Sequence, residues 1–273
     1  MTTVRDARDD ESRSISELLA RAGFGPTVGG LIAFPRDSPQ GDILVAERGR
    51  RPVGGVCCAS FGATGWIGAL GVVPDSRRRG VGRALAEAAC ERLRDRGAHT
   101  VLLFATDMGR PLYDDMGFRA EGGATAWRGT AGVAHADRVH LRAVREDDRP
   151  ALRDIDRQAT GERRDPVLDA LGPLNGLVAE CDGRPAGWAL TSPWGAGVAI
   201  CATEADAGTA LLAAAAGGPG PTTIVVPSDN PTAAEALGGW RFKPSSAGER
   251  MRLGPPVDWR PERQFGLFNL FWG

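Results

Sequence analysis

Leu70-Gly71-Val72-Val73-Pro74-Asp75-Ser76-Arg77-Arg78-Arg79-Gly80-Val81-Gly82-Arg83-Ala84-Leu85 passes from an apolar run, through a basic glycine-bearing turn, into a helical pattern. Unpaired N–H groups at a helix start, with the positive end of the helix dipole, favour a phosphate, and glycines let that backbone approach closely. Three consecutive arginines add to this preference, although three charges on a turn also suit plain solvation. Two familiar phosphate loops match less well. A Walker A loop needs Gly-Lys-Ser/Thr, where this chain has Gly82-Arg83-Ala84. A dinucleotide fingerprint needs a third glycine where Leu85 stands, and only Asp107 offers its acidic residue at the next strand end.

Outward from this turn, upstream apolar runs at 43–47, 53–61 and 66–73 follow a helical segment around 15–22, and the first two flank Arg48-Gly49-Arg50-Arg51-Pro52. They read as a meander of antiparallel strands. Downstream, Val81, Leu85, Ala88 and Leu93 recur at helical spacing up to a C′ glycine, Gly97, before a short buried strand at 101–104. A short helix over 110–116 ends at Gly117, and Phe118 opens a return strand. The fold class is α+β with a mixed α/β sheet. A Gly, Ala and Thr stretch at 122–136 reads as a linker. The order then restarts with a strand at 139–143, a helix at 149–159, a hairpin at 177–190 around Asp182-Gly183, a strand at 198–201, a helix at 206–216 and a strand at 223–226. Two domains are therefore expected, at 1–130 and 137–256, with an aromatic tail at 257–273.

The bulk properties agree, since 273 residues exceed the usual domain of roughly 100–150. Hydrophobic residues at 42% and charged residues at 25% suit a globular protein, and no apolar run approaches the roughly 20 residues of a membrane span. Membrane insertion is not expected. Residues 1–13 carry mixed charges and no apolar core, which points to a cytoplasmic location. Cys57, Cys58, Cys90, Cys181 and Cys201 form an odd set without C-x-x-C spacing and read as buried thiols. His99, His135 and His140 are scattered, so no metal is expected. With a net charge of -1 and no long basic tract, nucleic acid is a poor partner.

Arg77-Arg78-Arg79-Gly80-Val81-Gly82 matches R/Q-x-x-G-x-G/A, preceded by V-x-P at Val72-Val73-Pro74, and Leu112-Tyr113-Asp114-Asp115-Met116-Gly117-Phe118 matches L-Y-x-x-x-G-F. Their order and separation resemble the GNAT superfamily of N-acetyltransferases. The resemblance implies two tandem GNAT-like domains, each a mostly antiparallel twisted sheet flanked by helices, with acetyl-CoA as cosubstrate in the first. It further implies that backbone groups of Leu70 and Val72, with Gly71 between them, meet the pantetheine arm. Arg77, Arg78, Arg79, Gly80, Val81 and Gly82, with Arg83 and Ala84, would wrap the pyrophosphate. Tyr113, the only tyrosine, maps onto the acid that protonates the departing thiolate, and an ordinary phenol is protonated at neutral pH. A tyrosine that merely anchors a short helix is the bland alternative. The base is less clear, because 66–73 holds no carboxylate or histidine; Asp107 is the candidate, with a helix cap as its other reading. Thr106 stands where the family often has asparagine.

In the second half the equivalent turn is Cys201-Ala202-Thr203-Glu204-Ala205-Asp206, acidic and without glycine, and Leu237 takes the tyrosine's place. This half resembles the non-catalytic member of tandem GNAT proteins. The polar stretch 159–165 reads as a solvated connecting loop ahead of an acceptor-site element. The tail reads as packing at the domain junction, more sharply as a homodimer contact, and least as a lid. The expected reaction is direct acetyl transfer from acetyl-CoA to a primary amine of a small molecule. Competing readings are a non-catalytic acyl-CoA-binding or regulatory protein, and an acyltransferase using another acyl-CoA or a hydroxyl acceptor.

Overall fold

The structure is a computed structural model that describes residues 1–130, 139–194, 197–218 and 220–273. It divides into two compact units, one of Met1–Arg119, Met251–Pro255 and Leu270–Gly273, the other of Ala120–Arg250 and Pro256–Asn269.

In the first unit the elements run β1 (Thr2–Asp6), α1 (Ser12–Leu19), α2 (Val28–Leu31), α3 (Ala33–Asp37), β2 (Gly41–Arg48), β3 (Arg51–Phe61), β4 (Thr64–Val72), α4 (Val81–Asp95), β5 (Thr100–Ala105) and α5 (Arg110–Asp115). The sheet order is β1-β2-β3-β4-β5, antiparallel except that β4 and β5 run parallel. β2 and β3 are joined through Gly49 and Arg50, at φ 56° and 64°, the two-residue turn whose twist suits a hairpin. On one face α4 lays Val81, Leu85, Ala89 and Leu93 against Val56, Ile67 and Leu103. Glycines permit the close approach: a Cβ at Gly65 would lie 2.6 Å from Leu93, and one at Gly54 3.0 Å from Leu85. Each fully buried leucine contributes about 1.5–3 kcal/mol relative to exposure. On the other face α1 packs Ile15, Leu18 and Leu19 over Val45, Cys57 and Ala69. Helix α4 ends at Gly97, at φ 93°, with the Ala98 amide donating to the Leu93 carbonyl at 2.9 Å.

The second unit follows with β6 (Arg119–Gly129, its first residue in the first unit), β7 (His140–Ala143), α6 (Arg149–Thr160), α7 (Asp165–Ala170), β8 (Gly176–Cys181), β9 (Arg184–Thr191), β10 (Val198–Ala202), α8 (Ala205–Ala216), β11 (Thr222–Pro227), α9 (Pro231–Gly239), β12 (Lys243–Leu253, whose last three residues belong to the first unit) and β13 (Gln264–Gly266). β7 to β10 and β13 form an antiparallel sheet in the order β13-β10-β9-β8-β7, and β11 pairs with β6. Leu211 and Leu212 of α8, with Phe242 and Phe265, fill its core.

The two halves share more than element order. Arg5 on β1 bonds Glu11 through both terminal nitrogens at 2.7 and 2.8 Å and Glu47 on β2 at 2.6 Å. Arg142 on β7 bonds Asp148 at 2.7 and 2.8 Å and Glu180 on β8 at 2.6 Å. In each case the acid lies six residues after the arginine and accepts the amide three residues before itself, from Arg8 at 2.9 Å and from Arg145 at 2.7 Å. The same polar knot fastens the start of both halves.

Two expectations give way. Residues 122–129 are strand and not linker, because the small residues leave room for aromatics from elsewhere. A Cβ at Gly129 would lie 2.7 Å from Phe242, and one at Gly122 2.8 Å from Trp259. Residues 131–136 of that stretch, with His135, lie outside the described residues. The stretch 159–165 is not a solvated loop either: Thr160, Glu162 and Arg164 are all buried. Arg164 and Asp156 form an ion pair at 2.7 Å with 2% and 3% of their side chains exposed, beside Cys201. Arg250, also buried, pairs with Glu121 and lies 4.2 Å from the centre of the Trp259 ring.

Candidate active site

Among the described residues, the parallel ladder between β4 and β5 runs from Thr64↔Thr100 to Ile67↔Leu103 and stops. Beyond it, Gly68–Val72 has a partner on the β3 side alone. On that side Gly55 faces Gly71 and Cys57 faces Gly68, so Ala69 and Leu70 together oppose Val56. Ala69 takes φ 48° in this bulge, which bends β4 away from its neighbour. A gap with an unpaired strand edge results, at the place where the sequence expects Leu70, Gly71 and Val72 to meet a cosubstrate.

At the far end of the same strand the basic turn opens α4. Gly80 caps the helix at φ 78°, ψ -3°, and no side chain caps the end. The Ala84 amide already donates to the Gly80 carbonyl at 3.0 Å, so Ala84 drops out of the candidate anion set and Val81, Gly82 and Arg83 carry the free helix-start amides. A Cβ on Gly82 would lie 3.6 Å from Leu112 and 3.9 Å from Leu70, so the turn, the β4 edge and α5 converge there. The four arginines part company. The Arg77 guanidinium donates to the carbonyls of Val72 and Ala22, both at 2.9 Å, and braces the segment after α1 against β4. Arg83 pairs with Asp115 at 3.3 Å. Arg78 and Arg79 are exposed, and among the described residues neither enters an ion pair or side-chain hydrogen bond, so theirs are the side chains open to a diphosphate. The long-range partner of Arg77 is invisible to motif reading.

Tyr113 is buried at 7% exposure, edge-on to Phe118 with ring centres 5.4 Å apart, in the cluster that contains Cys90. Its hydroxyl bonds no protein group among the described residues. Burial, then the nearby Cys90, pushes the phenol above its ordinary range, so it remains a neutral donor. Asp107 is exposed on the turn between β5 and α5 and does not cap the helix; the Gly109 amide bonds the Thr106 carbonyl at 2.9 Å and its hydroxyl at 3.4 Å. Burial raises the Cys90 thiol to about 11 and Cys58 to about 12, which leaves both unreactive at neutral pH. Among the described residues no group of His, Cys, Asp and Glu is placed to hold a metal ion. No described helix is long and apolar enough to cross a membrane.

Among the described residues, the second unit lacks the gap. Where the first unit parts its strands, β13 pairs with β10, Ile200 facing Gly266, and the Leu267 amide donates to the Val225 carbonyl at 2.8 Å. α8 starts at the acidic Glu204, and Leu237 is buried in the core. The local turn is nevertheless the same, since Phe242 donates to Leu237 at 2.9 Å as Phe118 donates to Tyr113 at 3.0 Å. Asn230 caps α9 through the Ala233 amide at 3.0 Å and donates to the Gln264 carbonyl at 3.0 Å, holding β13.

Residues 13–118 match the family model described as Acetyltransferase (GNAT) family. No curated protein matches the chain. Among solved structures, a Pyrococcus horikoshii protein carrying a provisional acetyltransferase description aligns with a TM-score of 0.85 at 23% identity, over 100% of this chain and 96% of that one. A GCN5-related N-acetyltransferase from Sphaerobacter thermophilus gives 0.64 at 16%, over 94% and 98%. A tandem GNAT protein from the clavulanic acid biosynthesis pathway gives 0.59 at 19%, over 94% and 99%. At these identities the structures speak for the fold, which is that of tandem GNAT proteins.

Proposed function

We propose that the chain, whose residues 13–118 match the acetyltransferase (GNAT) family model, is an acyl-transfer enzyme that moves an acetyl group from acetyl-CoA to the primary amine of a small molecule in the cytoplasm. The observation that carries this reading is the meeting of three parts: the gap after Ile67, the start of α4 without a side-chain cap, and Tyr113 on the helix packed beside them. The free amides of Val81, Gly82 and Arg83, with Arg78 and Arg79, would hold the diphosphate, and the unpaired β4 edge from Gly68 to Val72 the extended arm.

In the reaction the amine nitrogen bonds the thioester carbon, the carbon–sulfur bond breaks, and the departing thiolate takes the Tyr113 hydroxyl proton. The amine loses its proton to a base, for which exposed Asp107, directly or through water, is the candidate. Burial keeps the phenol protonated at neutral pH, the form the acid role requires, and at the same time makes its proton harder to release. In the second unit β13 fills the equivalent gap, which supports one cosubstrate site per chain.

The test combines calorimetric titration with acetyl-CoA and thiol release across an amine panel. One site is expected, weakened in an Arg78/Arg79 double alanine variant. Tyr113→Phe should keep that site and lose about 100-fold or more in kcat, the range of a general acid. Binding without turnover on any amine would favour a non-catalytic acyl-CoA binder, and full activity in the phenylalanine variant would remove Tyr113 from the mechanism.

A further inference from the structure

We infer that Phe271 sets the upper length of the acyl group the enzyme accepts; this rests on the acyl-CoA reading of the gap. Gly68 is the first β4 residue beyond the paired part of the ladder. A Cβ there would lie 2.5 Å from the Phe271 carbonyl oxygen and 2.6 Å from its Cβ, so residue 271 lies directly on the strand at the closed end of the gap. Its ring stands edge-on to Phe24 at 5.4 Å, and Phe24 in turn reaches to 3.0 Å from the Cβ position of Gly71. Below, Trp66 and Phe104 stack at 5.5 Å across β4 and β5. On the opposite face Ile67, Leu103 and Tyr113 belong to the cluster packed under α4.

The wall is held firmly. Trp272, 1% exposed, packs on Phe34 at 5.1 Å and donates its indole N–H to the Leu31 carbonyl at 3.4 Å, whereas Phe271 itself is half-buried. From Val72 back to Gly68 is four residue steps, about 13 Å at the rise of a strand. An arm anchored at the diphosphate turn and laid along this edge brings its thioester to Gly68. The acyl group leaves the thioester beside Phe271, so each added methylene runs further into that wall.

The experiment measures dissociation constants by calorimetry for CoA, acetyl-CoA, butyryl-CoA and hexanoyl-CoA with the full chain and with Phe271→Ala and Phe271→Leu. The native chain should lose about tenfold or more in affinity from acetyl to hexanoyl, the scale of a pocket that rejects added methylenes. Phe271→Ala should bring that ratio to within about threefold, with Phe271→Leu between, while CoA without an acyl group serves as the reference. The leucine variant keeps apolar contact with Phe24 and gives the answer if the alanine variant fails to fold. Equal affinities in the native chain, or an unchanged ratio in both variants with CoA still bound, would overturn the acyl-length role alone. A native chain that binds no CoA would overturn the acyl-CoA reading beneath it.

Discussion

Gly80→Ala separates the backbone's contribution at the proposed phosphate turn from that of the arginines. Gly80 sits at φ 78°, and a Cβ there meets nothing within 4 Å, so the substitution introduces no clash and acts through the backbone alone. A left-handed conformation costs an ordinary residue about 1–2 kcal/mol, partly offset by the 0.4–1 kcal/mol or so gained from a stiffer unfolded chain. The net loss is about 1 kcal/mol, or about 2–4 °C in Tm for a domain of this size. Gly49→Ala is the control, since Gly49 has φ 56°, also meets nothing within 4 Å, and lies in the β2–β3 turn away from the gap. Both variants should lose the same few degrees. Only Gly80→Ala should also weaken CoA binding, by about tenfold for each charge-assisted hydrogen bond lost, worth about 1.5 kcal/mol or more. Gly80→Asn, which tolerates the left-handed region, should recover part of both losses. Calorimetry beside thermal melts reads the two effects separately. An unchanged CoA affinity in Gly80→Ala, or an equal loss in both variants, would refute the assignment of the helix-start amides to the diphosphate.

The remaining predictions concern the ionic groups. Breaking the buried Arg164–Asp156 pair by Arg164→Leu should destabilise by about 3–5 kcal/mol in denaturant melts, while the double change Asp156→Leu/Arg164→Met should cost less, because it strands no charge. A single variant as stable as the native chain would show the pair to be dispensable. Glu11 is held at about 2, first by the Arg5 hydrogen bond and then by the Arg8 amide, and Asp148 is lowered first by Arg142. Carboxyls depressed in the folded state lend stability that is complete above their unfolded value of 4.5 or below and drains as pH falls toward 2. Tm should therefore fall steeply between pH 4.5 and 2, and Arg5→Gln should shrink that fall; an equal fall in the variant would sink this account.

The elements around the site were legible because their signals are local. The glycines at 49, 97 and 117 all take positive φ where the sequence expects breaks, and the apolar runs of β2 to β5 and α4 fall where their periodicity places them. What escaped depends on distant partners. β1 has one apolar residue, Val4, and is held by pairing with β2 and by the Arg5 knot. β6 looks like a linker because its bulk is supplied by Phe242 and Trp259. Buried Arg164 and braced Arg77 look solvated because Asp156 and Ala22 are not adjacent in sequence. At the candidate site, the motifs pointed to the turn and Tyr113, but no local signal distinguished the engaged arginines, 77 and 83, from the open ones, 78 and 79.

The first unit is discontinuous, and this has a consequence for its biosynthesis. Residues 1–119 emerge from the ribosome without Met251–Pro255, which lies beside β5 and receives the Thr100 hydroxyl at 2.8 Å, and without Phe271 and Trp272. The chain must synthesise the whole second unit before the first can be completed. Until then Phe24, Phe34 and Gly68 lack the cover of Phe271 and Trp272, which leaves apolar surface of the kind that chaperones bind. Completion of the first unit is thereby deferred until residues 251–255 and 270–273 have both been made.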